Sequence, residues 1–192
     1  MTGTTVKTKV YSGVSNLVGN LPLEQAMQTE FDKLGPVPFE KEDEVFAEEI
    51  RKTLTTEDID ASFQRAGRKT PPDLPLCDFV APLDRPSDGG EGSTDVGDVS
   101  WVTPTVQARV ATCAVGTPFH TWQTVAQGKA PAAHKGMVHA AKVMAATATH
   151  LINSPETLRA ARDVHDSRQQ TTPYVCPIPQ NVKPPVIKEP PS

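Results

Sequence analysis

The stretch EGSTDVGDVSWVTPTVQARVATCAVGTPFHTWQTVAQGKAPAAHKGMVHAAKVM, residues 91–144, governs the reading of this chain. It opens on a Gly-Ser-Thr-Asp turn at 92–95. A short helical pattern follows over Asp98–Val102 and ends before Pro104. Val106–Val115 is apolar and rich in valine, which predicts a buried strand. A Gly-Thr-Pro-Phe-His-Thr loop at 116–121 then carries His120. The Ala-, Met- and Lys-rich run over Ala132–Ile152 predicts a long helix, with His139, Val143 and Ala146 on one face.

The pattern upstream is just as mixed. Thr4–Tyr11 alternates polar with apolar residues and predicts a half-buried strand. An isolated strand is not stable, so this one needs a partner. Asn20 predicts a helix cap, with Pro22 in the first turn and a stop at Gly35-Pro36. A second helix is predicted over Glu40–Leu54, with Val45, Phe46, Glu49 and Ile50 on neighbouring turns and an acidic first turn suited to the helix dipole. Thr56–Arg65 reads as a short further turn of helix. Pro, Gly, Asp and Ser recur through 67–94, a loop long enough to predict a functional role. Ser154 and Pro155 open a last helix to about Arg168. The tail from Pro173 to Ser192 predicts an extended arm or disorder.

Composition narrows the function classes. The 192 residues are 37% hydrophobic with 19 prolines, so the packed part is smaller than the length suggests. The net charge of −4 comes with no Lys/Arg cluster, which argues against nucleic acid as a partner. No apolar run approaches a membrane span, and no basic-then-apolar leader pattern opens the chain. Cys77, Cys113 and Cys176 form no C-x-x-C pair, so a zinc ribbon or disulfide framework is not indicated, and a reduced, cytoplasmic protein is predicted.

The candidate chemistry centres on His120. In a loop, a lone histidine is most simply a surface residue. Its frame of Gly116 and Pro118 after an apolar run strengthens the alternative of a zinc or manganese ligand, although one imidazole does not make a site. Ser93, Thr94 and Asp95 read either as a turn opening the next helix or as a cradle for a substrate carboxylate or oxyanion. His134 and His139 are five apart and do not share a face as a metal pair would. His139 is expected to be packed in the core, and His150 and His165 to be solvated. Trp101 and Trp122 are expected in the core or as walls for an aromatic group. No Walker loop, G-x-G-x-x-G, H-E-x-x-H or G-x-S-x-G occurs.

The segments MTGTT, EGSTDVGDVSWVTPTVQ, AVGTPFHTWQ, AHKGMVHAAKVMAATA and PYVCPIPQNVKP closely resemble the aminoacylase/carboxypeptidase family of co-catalytic metallopeptidases. The resemblance runs collinearly to the tail and covers the C-terminal two-fifths or so of such a protein. It implies an α/β fold: the C-terminal part of a zinc-peptidase-like catalytic domain, preceded by the last strand of a ferredoxin-like lid that mediates dimerisation. Residues 1–19 would close the lid domain, 20–172 would belong to the catalytic domain, and 173–192 would form the Pro-rich tail. His120 falls on the family's late histidine metal ligand. Thr94 and Asp95, with Ser93 beside them, fall on its active-site Gly-x-x-Asp loop near substrate. The remaining ligands and the glutamate general base lie in the family's N-terminal half, and no counterpart occurs here.

The activity so implied is metal-assisted hydrolysis of an aryl or acyl amide of an amino acid, with p-aminobenzoyl-glutamate, a folate breakdown product, as the type case. The cofactor would be a divalent metal, Zn or Mn, at a site incomplete in this chain. The chain is expected to be inactive alone and to pair as a homo- or hetero-dimer with a related subunit. The alternative is a non-catalytic dimerisation module or a truncated gene product, suggested by the strand pattern at Thr4–Val10.

Overall fold

The computed structural model describes residues 2–68, 74–84 and 94–183. Among these residues the regular elements are seven helices: α1 (Leu21–Leu34), α2 (Lys41–Arg51), α3 (Thr56–Arg65), α4 (Val96–Val102), α5 (Trp122–Gln127), α6 (Pro131–Asn153) and α7 (Pro155–Thr171). The helix starts follow local chemistry. The Asn20 side chain accepts the Leu23 N–H, and its Nδ2 donates to the Ala161 carbonyl at 2.9 Å, so one buried cap both starts α1 and ties it to α7. Gly35, at φ 73°, ends the helix in the left-handed region.

α1 packs on both α6 and α7. Its buried face is Leu23, Ala26, Met27 and Glu30. Opposite it, α6 buries Ala132, Gly136, His139, Val143 and Thr147, a set spaced at three and four residues, as one helical face requires. A smaller core gathers Ala47 and Ile50 of α2 with Leu76, Ala114 and Ala132, and Phe39 packs against it. This second core seats the loop that carries His120.

Several expectations change. Val45 and Phe46 are exposed, and α2 instead buries Asp43, Ala47 and Ile50. Thr56–Arg65 is a full helix because Thr55 and Asp58 form a reciprocal capping box. No strand forms among the described residues. Residues 2–10 are exposed throughout. Between Val106 and Val110 burial alternates, with Val106, Ala108 and Val110 half-buried and Gln107 and Arg109 exposed. That is the side-chain pattern of a strand without a ladder, since a strand exists only by pairing and neither segment has a partner here. Val115 makes a single backbone bond, its N–H donating to the Pro75 carbonyl at 2.9 Å. No helix among the described residues is long and apolar enough to cross a membrane.

Candidate functional site

The loop at 114–121 begins where the chain crosses α6. A Cβ on Gly136 would collide with the Ala111 carbonyl, so glycine there allows the backbone to lie directly on the helix. The chain then turns at Gly116, whose φ of 95° and contact with Ile59 of α3 leave no room for a side chain. Pro118 follows, and His120 adopts φ 64°, the one positive φ outside glycine among the described residues. Histidine is among the residues that tolerate this region, yet such a conformation persists only where its surroundings impose it.

Those surroundings are a hydrogen-bonded frame. The Thr121 and Thr124 hydroxyls both donate to the Pro118 carbonyl, at 2.8 and 2.7 Å. The Thr117 hydroxyl donates to the Ala114 carbonyl at 2.7 Å. Gln127, buried at the end of α5, accepts the Ala114 N–H at 2.7 Å and donates to Thr117 Oγ1 at 3.0 Å. Sequence reading missed Gln127, because a glutamine in a short polar helix carries no signal of burial.

The loop presents His120 outward. The residue is exposed, and its ring makes no hydrogen bond or ion pair among the described residues. Phe119 and Trp122 beside it are 77% and 61% exposed, and Val125, one turn along α5, is 80% exposed. The two tryptophans therefore separate. Trp122 flanks His120 at the surface. Trp101 is half-buried, donates from Nε1 to the Asn16 carbonyl at 2.9 Å, and stacks at a tilt on Tyr174 with ring centroids 6.4 Å apart.

Thr94 and Asp95 lie at the start of α4, and Ser93 falls outside the described residues. The Thr94 hydroxyl accepts the Val96 N–H at 3.3 Å, and the Thr94 carbonyl accepts the Gly97 N–H at 2.9 Å. Asp95 occupies the cap position but its side chain makes no cap bond and is exposed. Thr94 thus serves the helix start, while the Asp95 carboxylate is left outward. α4 itself is clasped by the segment before α1 and the segment after α7. Asp98 accepts the Ser15 N–H and the Tyr174 hydroxyl, and Ser100 accepts the Val18 N–H at 3.0 Å. No hydrogen bond or ion pair among the described residues joins the His120 loop to the Thr94–Asp95 turn.

Three of the other histidines make structural contacts, while His134 is exposed on α6. His139 is buried with Nε2 3.0 Å from the Gly35 carbonyl, as its position on the core face predicts. His165 is buried rather than solvated, its ring placed between the Trp101 carbonyl and Asp166. His150 lies 2.7 Å from Glu30 Oε1 rather than free in solvent. The sequence pattern hides both because α7 and the end of α6 pack against α1 and α4, which are remote in the chain.

The donor set limits what metal the site could hold. Among the described residues no group of three His, Cys, Asp or Glu side chains is placed to hold a metal ion. Burial pushes the Cys77 and Cys113 thiols up, away from the thiolate that binds metal or attacks substrate. His120 is the free, exposed donor in the loop, and a catalytic zinc takes about three protein ligands. These residues supply one donor and do not by themselves complete a site.

Comparison with known proteins adds the remaining finding. The chain is 38% identical to a subunit of p-aminobenzoyl-glutamate hydrolase from Escherichia coli over 98% of its own length. It spans about 41% of the length of that relative. No family model matches the chain, and no solved structure matches it.

Proposed function

We propose, from the relationship to the E. coli p-aminobenzoyl-glutamate hydrolase, that this chain is the C-terminal part of a metal-dependent amidohydrolase acting on p-aminobenzoyl-glutamate or a related N-acyl or N-aryl amino acid. Two observations taken together carry the reading: identity to that hydrolase along nearly the whole chain, and an exposed, unpartnered His120 locked at positive φ. An outward imidazole with no partner among the described residues is available to a metal whose other ligands come from another part of the assembly. In this reading His120 contributes one ligand to a Zn or Mn site. The metal would polarise the amide carbonyl and activate water. Thr94 and Asp95, with Ser93, would face the substrate.

The fold is proposed as the C-terminal part of an α/β domain. The period-2 segments at Thr4–Tyr11 and Val106–Val110 would become strands on pairing with chain outside this one, the first as the edge of a dimerising lid. That exposed N-terminal segment also supports the second reading, a dimerisation module without catalysis. Hydrolysis of p-aminobenzoyl-glutamate by the purified 192-residue chain, with added ZnCl2 or MnCl2, separates chain from assembly. The chain alone is expected to show no turnover. Robust turnover would overturn the incomplete site.

A further inference from the structure

We propose that Gln127 is a positioning residue for His120, a role that rests on the reading of His120 as a metal ligand. The side chain is 4% exposed, and each of its polar atoms is used. Oε1 accepts the Ala114 N–H at 2.7 Å, while Nε2 donates to Thr117 Oγ1 and to the Gln123 carbonyl, each at 3.0 Å. The amide orientation is fixed by chemistry: Ala114 offers only a donor and the Gln123 carbonyl only an acceptor, so oxygen and nitrogen cannot exchange places.

Through these bonds one residue joins the entrance of the loop to the helix at its exit. Ala114 and Thr117 bracket Gly116 at the entrance. At the exit the Thr121 and Thr124 hydroxyls hold the Pro118 carbonyl. Phe119 and His120 are left to turn the chain from Pro118 into α5, and His120 takes the positive φ. α5 is six residues long, too short to hold its own place, since short helices depend on tertiary contacts. Gln127 supplies that anchor from its last residue.

NMR of the 192-residue chain tests the assignment. A strong intraresidue amide–Hα NOE reports positive φ at His120. Gln127→Met and Gln127→Leu each remove both bonds to the loop, Thr117→Val removes only the Thr117 half, and Thr117→Ser restores the hydroxyl. The NOE is expected in the parent chain and in Thr117→Ser, is expected to weaken in Thr117→Val and to be lost in Gln127→Met, while the amides of Val143 and Thr147 in α6 keep their shifts. Should Gln127→Met fail to fold, Gln127→Leu decides the question. A full-strength NOE at His120 in Gln127→Met or Gln127→Leu would overturn the role. The ligand reading is tested separately in the hydrolase assembled with this chain in place of its homologous region: loss of turnover in His120→Ala supports it, and full turnover in His120→Ala overturns that reading while the NOE still decides the positioning.

Discussion

The Tyr174 hydroxyl donates to Asp98 Oδ1 at 2.9 Å, fastening the C-terminal arm onto α4. The same carboxylate accepts the Ser15 N–H at 3.3 Å from both oxygens, so one residue ties Ser15 and Tyr174 together. The bond to Asp98, followed by burial and Cys176, pushes the Tyr174 phenol up to about 12. Bonds from Ser15 and then Tyr174 outweigh burial and hold the Asp98 carboxyl below its ordinary range.

The clasp therefore depends on pH at both extremes. A phenol with a raised folded value contributes below its unfolded value, and the contribution is lost as pH climbs from about 10 towards 12. Absorbance at 295 nm should show a late tyrosinate step that vanishes in Tyr174→Phe and moves to lower pH in Asp98→Asn. An unchanged step in Asp98→Asn would show that the bond does not form.

Lys135 reaches from α6 to α2, 2.5 Å from the buried Asp43 and 2.9 Å from Glu40. Burial acts to raise the Asp43 carboxyl, but Lys135 and the Glu40 N–H together hold it below the usual carboxylate range. Lys135→Met leaves that carboxylate buried without its cation. The expected outcome is a lower urea midpoint in Lys135→Met. A depressed carboxyl contributes above its unfolded value and loses that contribution as pH falls through the folded one, so the parent chain should lose stability below about pH 4 more steeply than Lys135→Met. Parallel pH profiles would contradict the pairing.

Gly116 combines φ 95° with a backbone neighbour, Ile59, about 3 Å from where a Cβ would sit. Gly116→Ala should lower stability by about 1–3 kcal/mol in urea unfolding. A neutral effect would mean the loop relaxes away from α3 at no cost.

Phe63 is 1% exposed and is the bulkiest fully buried side chain among the described residues. Phe63→Ala should cost about 3–5 kcal/mol, read from the urea midpoint at constant slope. A loss under about 1 kcal/mol would show that α3 packs loosely.

Local chemistry made much of the helical framework legible. Asn20, Gly35 and Pro155 mark helix ends because caps act within one turn. His139 was readable from its place on the α6 face. His165 was not, since its burial depends on Trp101, 64 residues away. The strand-like runs carry the right alternation, but pairing is non-local and cannot be read from either run alone. In the candidate site His120 stood out through its Gly-Thr-Pro-Phe-His frame, and the resemblance raised it further. Gln127 stayed hidden because its bonds run back to Ala114 and Thr117.

The ligand role of His120 is tested most directly in a chimera in which this chain replaces the homologous region of the E. coli p-aminobenzoyl-glutamate hydrolase, assayed with that enzyme's other components on p-aminobenzoyl-glutamate. Turnover should return in the chimera. His120→Ala should lower it by roughly three orders of magnitude, as loss of several kcal/mol of metal-based stabilisation requires. An active chimera that keeps full turnover after His120→Ala would contradict the metal-ligand role.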